Sequence, residues 1–75
     1  MKALVEISTE VGKARAVFDS VKKIENVKEA YLVTGHCDIV ALVEAEDLKA
    51  IGDIILEKIH RIEGVVDTET LICVE

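Results

Sequence analysis

The tetrapeptide ALVE occurs twice, at residues 3–6 and 41–44, and the offset of 38 between the copies reaches well beyond those four positions. Moved by 38, Val17 falls on Ile55, Phe18 on Leu56 and Val21 on Ile59. Ile24-Glu25-Asn26-Val27 falls on Ile62-Glu63-Gly64-Val65. A four-residue match alone is common in a chain rich in Ala, Val, Leu and Glu. A single register for the apolar positions of two helix-like stretches, and for both their ends, is harder to obtain by chance. The repeat therefore reads as two copies of one supersecondary unit.

Periodicity identifies that unit. Residues 2–9, KALVEIST, alternate like a strand, with Ala3, Val5 and Ile7 on one face. Residues 13–25 place Val17, Phe18, Val21 and Ile24 at helical spacing. Residues 27–33 and 38–45 read as strands around the turn signal Thr34-Gly35. Residues 47–62 carry Leu48, Ile51, Ile55, Ile59 and Ile62 on one helical stripe, with Glu46 and Asp47 where the helix dipole favours anions and Gly64 as a stop. Residues 65–74 form the last strand. The order is βαββαβ in one domain, residues 1–75. Two interleaved βαβ units predict an α+β, ferredoxin-like plait: a four-stranded antiparallel sheet with two helices on one face.

The helix-free face of such a sheet would normally be polar. Here Leu4, Val40 and Leu42 oppose Val5, Ala41 and Val43, so both faces are partly apolar. Burying one leucine is worth about 1.5–3 kcal/mol, and a chain of 75 residues has little stability to lose. Packing sheet against sheet in a two-fold homodimer, a dimeric αβ-barrel, resolves the conflict.

Composition excludes several functions. The net charge of −6 repels phosphates, and Tyr31 and Phe18 are the only aromatics, so no direct nucleic-acid partner is expected. No apolar run is long enough for a membrane span. With no secretory signal before the first strand, the expected compartment is the reducing cytoplasm, with Cys37 and Cys73 as free thiols.

The chemistry-bearing residues cluster in Thr34-Gly35-His36-Cys37-Asp38. Three consecutive side chains in extended geometry cannot all face one ion, so a metal site would have to recruit Cys73, His60 or another subunit. No metal or other cofactor is expected. As a nucleophile–base pair, Cys37 and His36 lack an evident third, orienting group. Cys73 reads as a small buried hydrophobe, His60 as a cation at a helix C-terminus, and Asp38 as either a turn cap or a ligand. A tight glycine turn beside a carboxylate suits a small zwitterion, which needs a countercharge and convergent donors.

With VTGHCDIVALVEAEDLKAIGDII at residues 33–55 and VVDTETLI at residues 65–72, the whole chain resembles the ligand-sensing domain of the Lrp/AsnC feast/famine regulators, called RAM for regulation of amino-acid metabolism. Gly35-His36-Cys37-Asp38 matches the Gly-x-x-Asp turn of that family. The helix-turn-helix of full-length members has no counterpart here, so the likeness is to the stand-alone module. The resemblance implies a non-enzymatic effector-binding and assembly unit. Dimers would join into rings, often octamers, bind a small amino acid in clefts between dimers, and modulate full-length Lrp/AsnC regulators. It implies that Gly35 admits the ligand to the backbone and Asp38 pairs with the α-ammonium group. Thr34, Thr68 and Thr70 would donate hydroxyls, with His36 and Cys37 lining the same turn. The position before the aspartate is commonly aromatic in the family, and Cys37 departs from it. The alternatives are a small dimeric αβ-barrel enzyme, which would want a buried acid or base such as Tyr31, and a purely structural oligomerisation module.

Overall fold

The computed structural model describes residues 1–75. Four strands, β1 (Lys2–Thr9), β2 (Val27–Leu32), β3 (Ile39–Glu44) and β4 (Val65–Ile72), form one antiparallel sheet in the order β2-β3-β1-β4. Helix α1 (Ala14–Lys22) and helix α2 (Leu48–Ile54), extended by a π-helical turn over Ile55–Ile59, connect them as a ferredoxin-like plait. The helices deliver Val17, Val21, Ile51, Ile54, Ile55 and Ile59 onto Ala3, Val5, Ile7, Ile39, Ala41 and Val43, which form the buried core.

The repeat is visible as near-symmetry. Leu4 maps onto Leu42 under the offset of 38, and the two are direct partners across β1 and β3, so a pseudo-dyad passes between them. Both helices end alike. Ile24 N donates to Val21 O (3.1 Å) and Val27 N to Ile24 O (3.0 Å); their equivalents are Ile62 N to Ile59 O (3.1 Å) and Val65 N to Ile62 O (3.2 Å).

The helices are shorter than their apolar spacing predicts. α1 stops at Lys22 rather than at residue 25, because Lys23 and Ile24 turn back by bonds to the carbonyls three residues earlier. Asp47 lies outside α2 as its N-cap, its Oδ1 accepting from Ala50 N at 2.9 Å. Leu48 is 60% exposed and not on the buried stripe; Ile54 takes that role. Past Ile54 the helix continues as the π turn, in which His60 N donates to Ile55 O (2.8 Å). Bonding over five residues aligns Ile54 with Ile59, so two adjacent isoleucines both reach the core. β4 ends at Ile72, leaving Cys73 half-buried rather than in the core.

Gly64 is buried with φ +102°, and a Cβ there would lie 2.9 Å from Lys13 Cβ and 3.0 Å from Val17 Cγ2. It joins the end of the second helix to the start of the first, and its carbonyl accepts from Glu10 N at 2.8 Å. On the helix-free face Leu4, Leu71 and Tyr31 are 37%, 44% and 55% exposed, with Val40 and Leu42 half-buried between them. No helix is long and apolar enough to cross a membrane.

Candidate functional site

The chain between β2 and β3 is a pinned loop. Val33 N donates to Asp38 O and Asp38 N to Ile7 O, each at 2.9 Å. Gly35 sits within it at φ +137°, with open space where a Cβ would project, so backbone conformation and not crowding calls for glycine. The register of β1 against β4 shifts between Ser8 and Thr9. Just past that shift, Thr9 donates both its N–H (2.8 Å) and its hydroxyl (3.2 Å) to Asp38 Oδ2. Asp38 therefore ties the end of β1 to the start of β3.

Beside the loop lies a polar cleft of about 80 Å³. His36, Cys37 and Thr68 line it with Glu6 and Glu69, and Ser8 and Asp67 close it. Glu6 and Glu69 are direct partners on neighbouring strands, a like-charge opposition that costs stability unless a cation intervenes. His36 Nε2 lies 3.1 Å from Glu6 Oε1. That hydrogen bond, with the charge of Glu6 behind it, holds the imidazole above its ordinary value. Burial pushes the Cys37 thiol up, and the carboxylates of Glu6 and Asp38 add to the effect. One ligand atom from each of Glu6, His36 and Cys37 falls within 4.8 Å of the others.

Glu6 is the participant that the motif alone misses. The alternation of KALVEIST puts it on the helix-free face with Leu4, where a carboxylate is conspicuous, but only the loop's fold brings His36 to it. The chain bends at Gly35, His36 and Asp38, so the ligand atoms of neighbouring His36 and Cys37 converge. Glu6 also supplies a third group beside the Cys–His pair. A thiol held in its protonated form, however, is the opposite of an activated nucleophile.

The remaining residues spread out. Thr34 is exposed. Thr70 pairs with Val5 on the helix side of the sheet, and Thr68 pairs with Ile7. The Thr68 hydroxyl is 2.8 Å from His60 Nε2, a contact that the helix-dipole reading of His60 did not anticipate. His60 and Thr68 share a second, open cleft of about 300 Å³ with Val65, Val66 and Asp67. Tyr31 is exposed, and its hydroxyl donates to Glu29, which raises its pKa; it is not a buried acid.

The plait presents polar clefts along β4, surfaces suited to binding, and none of its buried side chains is polar or charged. The comparisons with known proteins agree: residues 2–75 match the Lrp/AsnC ligand binding domain, and the chain belongs to that family. It is a family of transcriptional-regulator domains and not of enzymes. An uncharacterized HTH-type transcriptional regulator of Pyrococcus abyssi is 37% identical over 70 residues, covering 93% of this chain and 44% of that protein. The chain thus spans less than half the length of this curated relative. Among solved structures, TTHA0845 from Thermus thermophilus superposes with a TM-score of 0.93 at 34% identity, covering 99% of this chain and 92% of that one. Escherichia coli AsnC superposes with a TM-score of 0.93 at 25% identity, covering 99% of this chain and 50% of AsnC.

Proposed function

We propose that this chain is an effector-binding and assembly module, which dimerises through its helix-free sheet face and binds a small amino acid in crevices between dimers. The observation that carries the reading is the row Leu71–Leu4–Leu42, partners in register across β4, β1 and β3, on a face that no helix covers. Sheet-to-sheet contact would remove this row from water. Cleft size supports shared sites as well. The cleft at the glycine turn, about 80 Å³, is well below the roughly 300–1,000 Å³ of enclosed small-molecule sites, which suits a site that a second copy completes. In this reading Gly35 and Asp38 receive the ammonium end of the ligand, with Thr34, Thr68 and Thr70 as hydroxyl partners and His36 and Cys37 as lining. Its role is to modulate full-length Lrp/AsnC regulators in the cytoplasm by joining or reshaping their rings, octamers among them.

Calorimetric titration with each standard amino acid, combined with light scattering, tests this. The expected result is an oligomer that binds one or a few small amino acids and changes size or stability when it does. A monomer that binds none would overturn it.

A further inference from the structure

In the polar cleft Glu6 has no part in the proposed amino-acid site, where His36 and Cys37 serve only as lining, yet the three together form a donor set. We propose that Glu6, His36 and Cys37 form a site for a borderline-soft divalent transition-metal ion, with Zn²⁺ as the fitting member of that class. Three observations converge on it.

The first is chemical. A carboxylate, an imidazole and a thiol are three different zinc ligands, and three protein ligands with an open fourth position form the open type of zinc site. Oxygen-only cations such as Mg²⁺ have no use for the sulfur.

The second is geometric. Tetrahedral bonds of 2.0–2.3 Å place ligand atoms roughly 3.3–3.8 Å apart. His36 Nε2 and Glu6 Oε1 are already 3.1 Å apart, and the cysteine sulfur falls within 4.8 Å of both. Closing the set takes a shift of about an ångström. The His36 side chain, 77% exposed, is free to make it, while Glu6, at 19%, and buried Cys37 are held by the sheet and the loop.

The third is electrostatic. Glu6 faces Glu69 across β1 and β4, and Asp67 lines the same cleft, so three carboxylates share it with one imidazole. A dication there relieves the repulsion between facing strands, and Asp67, Glu69 or water can fill the fourth position. Because the copies of the ALVE repeat differ here, with Glu6 and Glu44 on different neighbours, only one half of the pseudo-symmetric sheet carries the site.

The metal site does not depend on the amino-acid reading and is tested without any amino acid present. The full chain, reduced and stripped with a chelator, is titrated with Co²⁺ and then with Zn²⁺. One Co²⁺ per chain is expected, with a thiolate-to-cobalt charge-transfer absorption in the near ultraviolet that Zn²⁺ abolishes and excess Mg²⁺ does not. Cys37→Ser should remove the band, and Glu6→Gln and His36→Gln should each weaken binding by about tenfold or more. Cys73→Ser should leave the titration unchanged. Circular dichroism checks each fold, and His36→Gln, at an exposed position, leaves the core untouched. Absence of the band, its survival in Cys37→Ser, or wild-type affinity in both Glu6→Gln and His36→Gln would overturn the site.

Discussion

Asp38 Oδ2 accepts from the Thr9 backbone N–H at 2.8 Å and from the Thr9 hydroxyl at 3.2 Å, which locks the end of β1 to the loop before β3. The carboxylate proposed to meet an amino acid's ammonium group is thus also a structural tie. Truncation and charge removal therefore have different consequences. Asp38→Ala leaves the half-buried Thr9 N–H without its acceptor and should cost about 1–2 kcal/mol of stability by chemical denaturation. Asp38→Asn keeps an acceptor oxygen and should cost less than half as much. If the carboxylate charge pairs with an ammonium group, both variants lose amino-acid binding. Retained binding in Asp38→Asn would move the ligand's charged end elsewhere.

Gly64→Ala meets two obstacles at once. Its φ of +102° suits only glycine, and the new methyl would press on Lys13 Cβ at 2.9 Å and Val17 Cγ2 at 3.0 Å. Val17 is fully buried in α1 and has no room to retreat, while Lys13, the exposed N-cap, meets the methyl with a Cβ fixed to the backbone. The expected loss is about 2–4 kcal/mol, read from denaturant midpoints. Gly35→Ala shares the positive φ but meets nothing within 4 Å, so it should cost about 1 kcal/mol.

Leu4 stands between Leu42 and Leu71 at the centre of the helix-free face. Leu4→Glu should leave the single chain folded, since that side chain is already 37% exposed in it. In a two-fold contact it would bring two carboxylates together away from water, at several kcal/mol each. Sedimentation should then show the wild type as a dimer or larger assembly and the variant as a monomer. Equal sedimentation of the two would place the interface elsewhere.

The element order and most of the core were legible in the sequence because burial leaves a periodic imprint. Ala3, Val5 and Ile7 alternate, Val17 and Val21 recur at one helical turn, and the repeat put Ile55 and Ile59 in the same buried roles, although Leu56, the counterpart of half-buried Phe18, is 61% exposed. The π turn was not legible. Ile51, Ile55 and Ile59 fit an ordinary helix equally well, and only the adjacent buried Ile54 distinguishes the two. The site was half legible for a related reason. Gly35 and the polar cluster after it are local signals, whereas the approach of Glu6 to His36, thirty positions away, follows from the bend of the loop and the pairing of β1. The Thr9–Asp38 tie is long-range in the same way. Neither Thr9 nor Asp38 carries a mark of its partner.

The two thiols should differ in reactivity. Cys37 is 7% exposed, and burial together with Glu6 and Asp38 keeps it protonated. Cys73 lies past the end of β4 and is half-buried. At neutral pH iodoacetamide should modify Cys73 at least about ten times faster than Cys37, as followed by mass spectrometry of the metal-free protein. Faster labelling of Cys37 would show that the loop over residues 34–38 opens readily in solution.

The contact between His36 and Glu6 implies a pH dependence of definite sign. Glu6 raises the folded-state pKa of His36 above its unfolded value of about 6.5, so the folded protein holds that proton more tightly. The stabilisation is fully present below about pH 6.5 and is lost as the pH rises through the folded-state value. His36→Gln keeps a donor but carries no charge. With a chelator present, the wild type should melt above this variant near pH 5.5 and converge with it near pH 8.5, the gap narrowing further in high salt because the imidazole is exposed. A constant difference across that range would mean that Glu6 does not share the proton's charge, and the cleft would then lack the electrostatic link between the loop and β1.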